Sequence, residues 1–131
     1  MKTDSVADLL TRVRNAQRAG HASVTVPHFN FGERILALLK KEGFIDSVDV
    51  MEATPRNECV VGLKYYGSGR PAMSLIKRVS KPGRRVYTEL DKLPKVMCGL
   101  GVVVVSTSQG LMTDREARRK KIGGEVVAVV G

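Results

Sequence analysis

The sequence predicts an α+β protein of two small domains, an N-terminal α-β-α-β-β unit over residues 1–66 and a C-terminal, mostly β unit with short helices over 67–131. Three observations predict it. Apolar residues recur at helical spacing in two early segments, Val6/Leu9/Leu10/Val13/Ala16 and Ile35/Leu36/Leu38/Leu39. Period-two segments (Val48/Val50, Cys59/Val61/Leu63) and the run Val102–Val105 read as half-buried and fully buried strands. Between the halves, Tyr66-Gly67-Ser68-Gly69-Arg70-Pro71 concentrates turn formers and marks the boundary.

Taken in order, the first helix covers Ser5 to Ala19, with Thr3 or Asp4 as cap and Gly20 as the left-handed closing residue. Arg12, Asn15 and Arg18 fall away from its apolar stripe. Val24 and Val26 form a short strand that Pro27 stops. Asn30 and Glu33 have capping-box spacing and open the second helix, which Gly43 ends. Residues 45–53 and 58–65 read as a hairpin through Thr54–Asn57. The second half reads as a strand near 73–79, a turn at Ser80-Lys81-Pro82-Gly83 and a short strand through Arg85-Val86-Tyr87. A helix or turn near Leu90–Lys95, the valine strand 102–107, a short helix from Thr113 and a last strand from Glu125 to Val130 follow.

Charge narrows the function. The 131 residues carry a net charge of +9 and a calculated pI near 9.9. The first 66 hold nine Lys and Arg against eight Asp and Glu, whereas the rest hold thirteen against five. An excess confined to one half argues for an anionic partner on that half. Six aromatic residues and no Trp weigh against a stacking platform for single strands. No apolar run approaches the ~20 residues of a membrane span, and the N-terminus has no signal-peptide core, so a cytosolic protein is expected. Cys59 and Cys98 read as reduced thiols. With His21 and His28 they offer no metal-ligand spacing, so neither metal nor cofactor is expected.

The most telling segment is the valine strand, which ends in Ser106-Thr107-Ser108. A stiff strand carrying small hydroxyls at its tip suits close hydrogen-bonded recognition. A serine nucleophile is rejected, since no G-x-S-x-G elbow or nearby histidine supports one. Lys81-Pro82-Gly83-Arg84-Arg85 is a basic turn whose arginine forks match phosphate oxygens. Tyr87 beyond it can stack on a base or pack in the core. Thr113-Asp114-Arg115-Glu116 has capping-box spacing and opens a helix rich in cations, either a solvated face or a phosphate-binding one. Gly123-Gly124-Glu125 reads as a helix end and turn, whose carboxylate could accept from a base amino group or a 2′-hydroxyl.

Together these segments resemble the bacterial small-subunit ribosomal protein eight family. The resemblance runs through Thr3-Asp4-x-x-Ala7-Asp8-x-Leu10-Thr11-Arg12-x-Arg14-Asn15, Lys41-Glu42-Gly43-Phe44-Ile45, Arg78-Val79-Ser80-Lys81-Pro82-Gly83 and Leu93-Pro94-Lys95-Val96. It closes with Gly99-Leu100-Gly101, Ser106-Thr107-Ser108, Gly110, Met112-Thr113-Asp114-Arg115 and Gly123-Gly124-Glu125. It implies a ribosomal, non-enzymatic protein that binds a central-domain stem of small-subunit ribosomal RNA with an irregular internal loop and aids assembly. Neighbouring small-subunit proteins are implied partners. Repression of its own operon messenger is a further implied activity, and composition suggests a monomer off the ribosome. Carried onto this chain, the principal RNA surface is Ser106, Thr107 and Ser108 with Tyr87, Gly124 and Glu125, beside the basic turn Arg84 and Arg85. A secondary surface would involve Thr3, Asp4, Arg12 and Arg14. Gln109 departs from the lysine common in relatives, and Ser5 from a common proline. The alternative from charge alone is a basic DNA-binding module, although no recognition helix is evident.

Overall fold

The apolar stripe of the first segment folds as α1 (Ser5–Arg18), burying Val6, Leu9, Leu10, Val13 and Ala16. The structure, a computed structural model, describes residues 4–52, 56–80, 83–88 and 101–131. Gly20 closes α1 at φ +76°, its N–H donating to Gln17 O and that of His21 to Ala16 O. These two bonds are a Schellman motif, satisfying carbonyls the helix itself leaves open. Strand β1 (Ser23–Pro27) follows, with Val26 buried.

Helix α2 (Asn30–Lys41) corrects one expectation. Its N-cap is Phe29, in extended conformation and with no side-chain cap bond, so Asn30 is the first helical residue and not the cap. The Glu33 carboxylate instead lies 3.5 Å from His28 Nε2. Ile35, Leu36, Leu38 and Leu39 are buried as the spacing requires, and Gly43 at φ +82° closes a second Schellman motif.

Strands β2 (Ile45–Met51) and β3 (Glu58–Leu63) are antiparallel, and with β1 they make a sheet of order β1-β3-β2. Ile45 and Val48 are three residues apart, so a regular strand would turn them to opposite faces. A register shift between Ile45 and Ser47, with Asp46 as the extra residue, puts both on the face of Leu63 and Val61. Val50 shares that face through its pairing with Cys59 but is 43% exposed, near the end of an edge strand. The expected hairpin apex at Thr54 and Pro55 lies outside the described residues.

Cys59 is buried on β3, and its thiol is pushed up from the ordinary 9.0, first by burial and then by the negative charge of Glu33. The folded thiol therefore stays neutral where an unfolded one ionises. That contribution to stability is intact below the ordinary value of 9.0 and is lost as pH rises beyond it through the raised value of the folded thiol. Native protein should accordingly resist alkylation at Cys59 near pH 8, and urea should release it. Peptide mass mapping separates Cys59 from Cys98, and equal native and unfolded rates at Cys59 would contradict its burial.

Residues Ser5–Ala72 form one unit, and Asp4 with Met73–Gly131 the other. The division falls six residues later than the turn-rich composition suggests. Tyr66 N donates to Arg70 O and Ala72 N to Lys64 O, which ties the whole turn segment to the first unit.

In the second unit β8 (Gly124–Val130) is flanked on one side by β4 (Ile76–Arg78) and β5 (Tyr87–Thr88), end to end. On its other side lies β6 (Val102–Thr107), followed by β7 (Gly110–Thr113). The regular strand is shorter than the expected 73–79, although Leu75 still exchanges both backbone hydrogen bonds with Gly131, whose carbonyl also accepts from Ser74 N. Buried Ser80 fastens the basic turn: its Oγ accepts from Val86 N at 2.9 Å and donates to Val86 O at 3.3 Å. Lys81, Pro82 and the segment expected near Leu90–Lys95 lie outside the described residues.

Two further differences concern the hydroxyl tip. Strand β7 was not expected, so Ser106-Thr107-Ser108 belongs to a tight β6–β7 hairpin and is not a free strand end. Helix α3 (Asp114–Lys120) does not close at Gly123: Lys121 takes the left-handed position at φ 58°, with Lys121 N and Ile122 N donating to Arg118 O and Ala117 O. For a residue with a Cβ that conformation costs about 1–2 kcal/mol. Ala117 of α3 packs with Val103, Val105, Met112 and Val126 on one face of the sheet.

Candidate nucleic-acid interface

Strand register builds the site. Ser106 pairs with Glu125 on one side and Leu111 on the other, and Glu125 pairs with Tyr87. Directly opposed residues project to the same face, so Tyr87, Glu125, Ser106 and Leu111 form one row across four strands. The next residues inward, Val105, Val126 and Met112, point to the other face, into the core beneath α3. Tyr87 is 70% exposed, which decides between the two sequence readings in favour of an accessible ring.

Gly124 lets the strands meet. It pairs with Thr88 next to this row, and a Cβ built there would collide with the Ser106 carbonyl and crowd Thr107 Cα. Only glycine permits that approach. Thr107 is occupied within the hairpin: its Oγ1 donates to Gly110 O at 2.8 Å and accepts from Gln109 N at 3.1 Å. Gly110 itself sits at φ 111°. The threonine hydroxyl thus sets the shape of the turn, with one lone pair left for a donor. Among the described residues, the Ser106 and Ser108 hydroxyls have no side-chain hydrogen bond, and Ser108 is exposed.

Glu125 and Arg85, forty positions apart, form an ion pair, with Arg85 Nη1 donating to Glu125 Oε2 at 3.0 Å. The carboxylate holds one arm of the guanidinium and retains its second oxygen as an acceptor. Arg84 is exposed next to this pair in the chain. The hairpin base has a buried support. Asp114 is 2% exposed; its Oδ1 accepts from Val103 N at 3.0 Å and its Oδ2 from Arg118 Nη1 at 2.7 Å. The Asp114 carboxylate takes over beyond Thr113, where the β6–β7 ladder ends. Thr113 caps α3 as its spacing requires, accepting from Glu116 N at 3.2 Å.

The structure therefore gathers Ser106, Thr107, Ser108, Tyr87, Arg85, Gly124 and Glu125 at one end of a sheet. The other expected residues have different placements. Asp4 belongs to this unit, but its Oδ2 accepts from Arg78 Nε at 3.3 Å, and Arg78 Nη1 donates to Val127 O. It anchors an arginine to the sheet. Arg12 and Arg14 belong to the first unit, where Arg12 is held by Asp8 at 2.9 Å. Thr3 lies outside the described residues. Sequence reasoning missed the support role of Asp114; an acid directly after the capping threonine was its one local sign. It also missed Leu111, which carried no signal without β7.

The model of the family described as ribosomal protein S8 matches residues 4–130. The chain belongs to that family. Similar curated proteins are the small ribosomal subunit proteins uS8 of Streptococcus agalactiae serotype V and Streptococcus pneumoniae serotype 19F, 49% and 48% identical. That of Streptococcus pyogenes serotype M49 is 48% identical. Each comparison spans 98% of this chain and 97% of the relative. The α+β architecture agrees with the two-domain fold of the family, and nothing in the comparisons supports the DNA-binding alternative. Among the described residues no group of three or more His, Cys, Asp or Glu could hold a metal ion, and no helix is long and apolar enough to cross a membrane.

Proposed function

We propose that this small-subunit ribosomal protein binds small-subunit ribosomal RNA directly, through the row Tyr87–Glu125–Ser106 and the hairpin tip Ser108. It does so in the cytoplasmic ribosome, beside neighbouring small-subunit proteins, and it aids assembly of the subunit. The target is a central-domain stem with an irregular internal loop, and a messenger segment that mimics the stem would allow repression of its own operon. Off the ribosome the chain is a monomer.

The observation that carries this is the register that lines up an exposed aromatic ring, a carboxylate and a small hydroxyl on one sheet face. A-form RNA hides its major-groove base edges and presents a shallow minor groove, 2′-hydroxyls and unstacked loop bases. Ser106 and Ser108 are short enough to reach a 2′-hydroxyl or base edge at close range. The open oxygen of Glu125 accepts from a base amino group or a 2′-hydroxyl and repels phosphate, which favours loops over plain duplex backbone. Tyr87 offers a face on which an unpaired base stacks. Arg84 and the second arm of Arg85 supply phosphate contacts and the salt dependence that accompanies them.

A salt-dependent titration of the full chain against the native stem and a scrambled-loop stem tests this. Tighter binding to the native stem that persists at moderate salt is expected. Ser106→Ala should weaken the native stem by about 1–2 kcal/mol, the scale of one hydrogen bond to a poorly solvated partner, and leave the scrambled stem almost unchanged. Equal affinities for both stems, collapsing together with salt, would overturn the proposal.

A further inference from the structure

Two exposed arginines of α3, Arg115 and Arg119, belong to the helix that covers the sheet face opposite the RNA row. Alternation along β6 and β8 puts Ser106 and Glu125 on one face of the sheet and Val105 and Val126 on the other. Ala117 seals α3 against that second face, so the outer side of the helix forms the surface opposite the row. Arg115 and Arg119 are both exposed there, one helical turn apart. Their i, i+4 spacing puts both on the same side of the helix. The remaining charges of α3 are partly committed, Arg118 to Asp114 and Lys120 to Glu116 at 3.7 Å. Lys121 adds a further exposed cation just past the helix, at the left-handed position that glycine fills at the ends of α1 and α2.

We infer that the outer face of α3, through Arg115, Arg119 and Lys121, grips the phosphate backbone of a second RNA duplex while the opposite face holds the first. The inference rests on the proposed RNA-binding role of the Tyr87–Glu125–Ser106 row. Charge and geometry favour a backbone over base reading. Two arginine forks at i and i+4 present paired donors that suit phosphate oxygens, and α3 itself carries no aromatic ring for stacking. With a polyanion on each side of one small sheet, the second unit would act as a clip between two RNA segments and not as the reader of one.

The test uses the full chain bound one-to-one to its native stem. A labelled RNA duplex of unrelated sequence is titrated into this complex, with a second label on the stem. The duplex is expected to join without displacing the stem. Arg115→Gln/Arg119→Gln removes two phosphate contacts, each worth about 5-fold at roughly 0.15 M salt, so duplex binding should weaken about 25-fold. Stem affinity should change less than about threefold, because the row lies on the other face. Arg115→Lys/Arg119→Lys keeps the charges and should retain most of the duplex affinity. Failure of the duplex to join, displacement of the stem, unchanged duplex binding by the Gln variant or equal loss for both RNAs would each overturn the inference. A wild-type chain that does not prefer its native stem would overturn the proposed function, and the clip with it. Preference for the stem without a second duplex overturns the clip alone.

Discussion

Asp114→Ala is expected to remove about 3 kcal/mol of stability, seen as a lower urea midpoint. Breaking a buried ion pair by deleting one partner costs about 3–5 kcal/mol, because the survivor loses its compensation. Arg118 is 28% exposed at its side chain and can turn partly to water, which places the loss near the lower end. The Val103 N–H cannot escape: its residue is fully buried, and its partner here is the Asp114 carboxylate. Leaving such a donor unpaired costs about 1–3 kcal/mol by itself. Asp114→Asn separates the two contributions, since its side-chain oxygen can still accept from Val103 while the charge opposite Arg118 is gone. It should therefore lose clearly less than the alanine variant. If both substitutions moved the midpoint equally, the backbone bond would not be the deciding interaction.

Gly124→Ala is expected to damage stability and recognition together. The added methyl meets the carbonyl of Ser106 and crowds Thr107 Cα, both of them backbone, so no flexible side chain can give way. Strands β6 and β8 must part at the point where Ser106 pairs with Glu125. Overpacking of this kind costs about 1–3 kcal/mol. Displacing Ser106 also breaks the alignment on which the RNA proposal depends. Native-stem affinity should then fall further than in Ser106→Ala, which deletes one hydroxyl and leaves the row in place. Urea denaturation and stem titration on the same protein check both halves. An alanine variant with the affinity of wild type would mean that the row is not the recognition surface.

The contrast between these positions and the helices shows how far local pattern reaches. The apolar stripes of α1 and α2 and their closing glycines were legible because a helix repeats every 3.6 residues and its ends draw on a few residue types. The valine strand and the capping role of Thr113 were legible for the same local reasons. Asn30 misled, since its spacing to Glu33 satisfies a capping box, yet the chain enters α2 from an extended Phe29 and Glu33 lies toward His28. Strand β7 was invisible because Gly-Leu-Met-Thr is too short to show alternation, and only its pairing with β6 makes it a strand. The Ser-Thr-Ser segment stood out in sequence, but the threonine's engagement inside the turn did not, because a hydroxyl's partner is not encoded in its own residue type.

The sequence by itself determined the α+β class, the concentration of positive charge in the second half, the boundaries of α1 and α2 to within a residue or two and the family to which the chain belongs. Each is a property of composition or of neighbours a few positions apart. The tertiary structure decided which residues stand together: Tyr87 beside Glu125 beside Ser106, Arg85 held by Glu125, Asp114 bonded to β6 at Val103, and α3 behind the sheet with Arg115 and Arg119 exposed. Those relations depend on strand register and sheet order. A shift of one residue turns every side chain of a strand to its other face, and what sets the register is the packing of the whole unit.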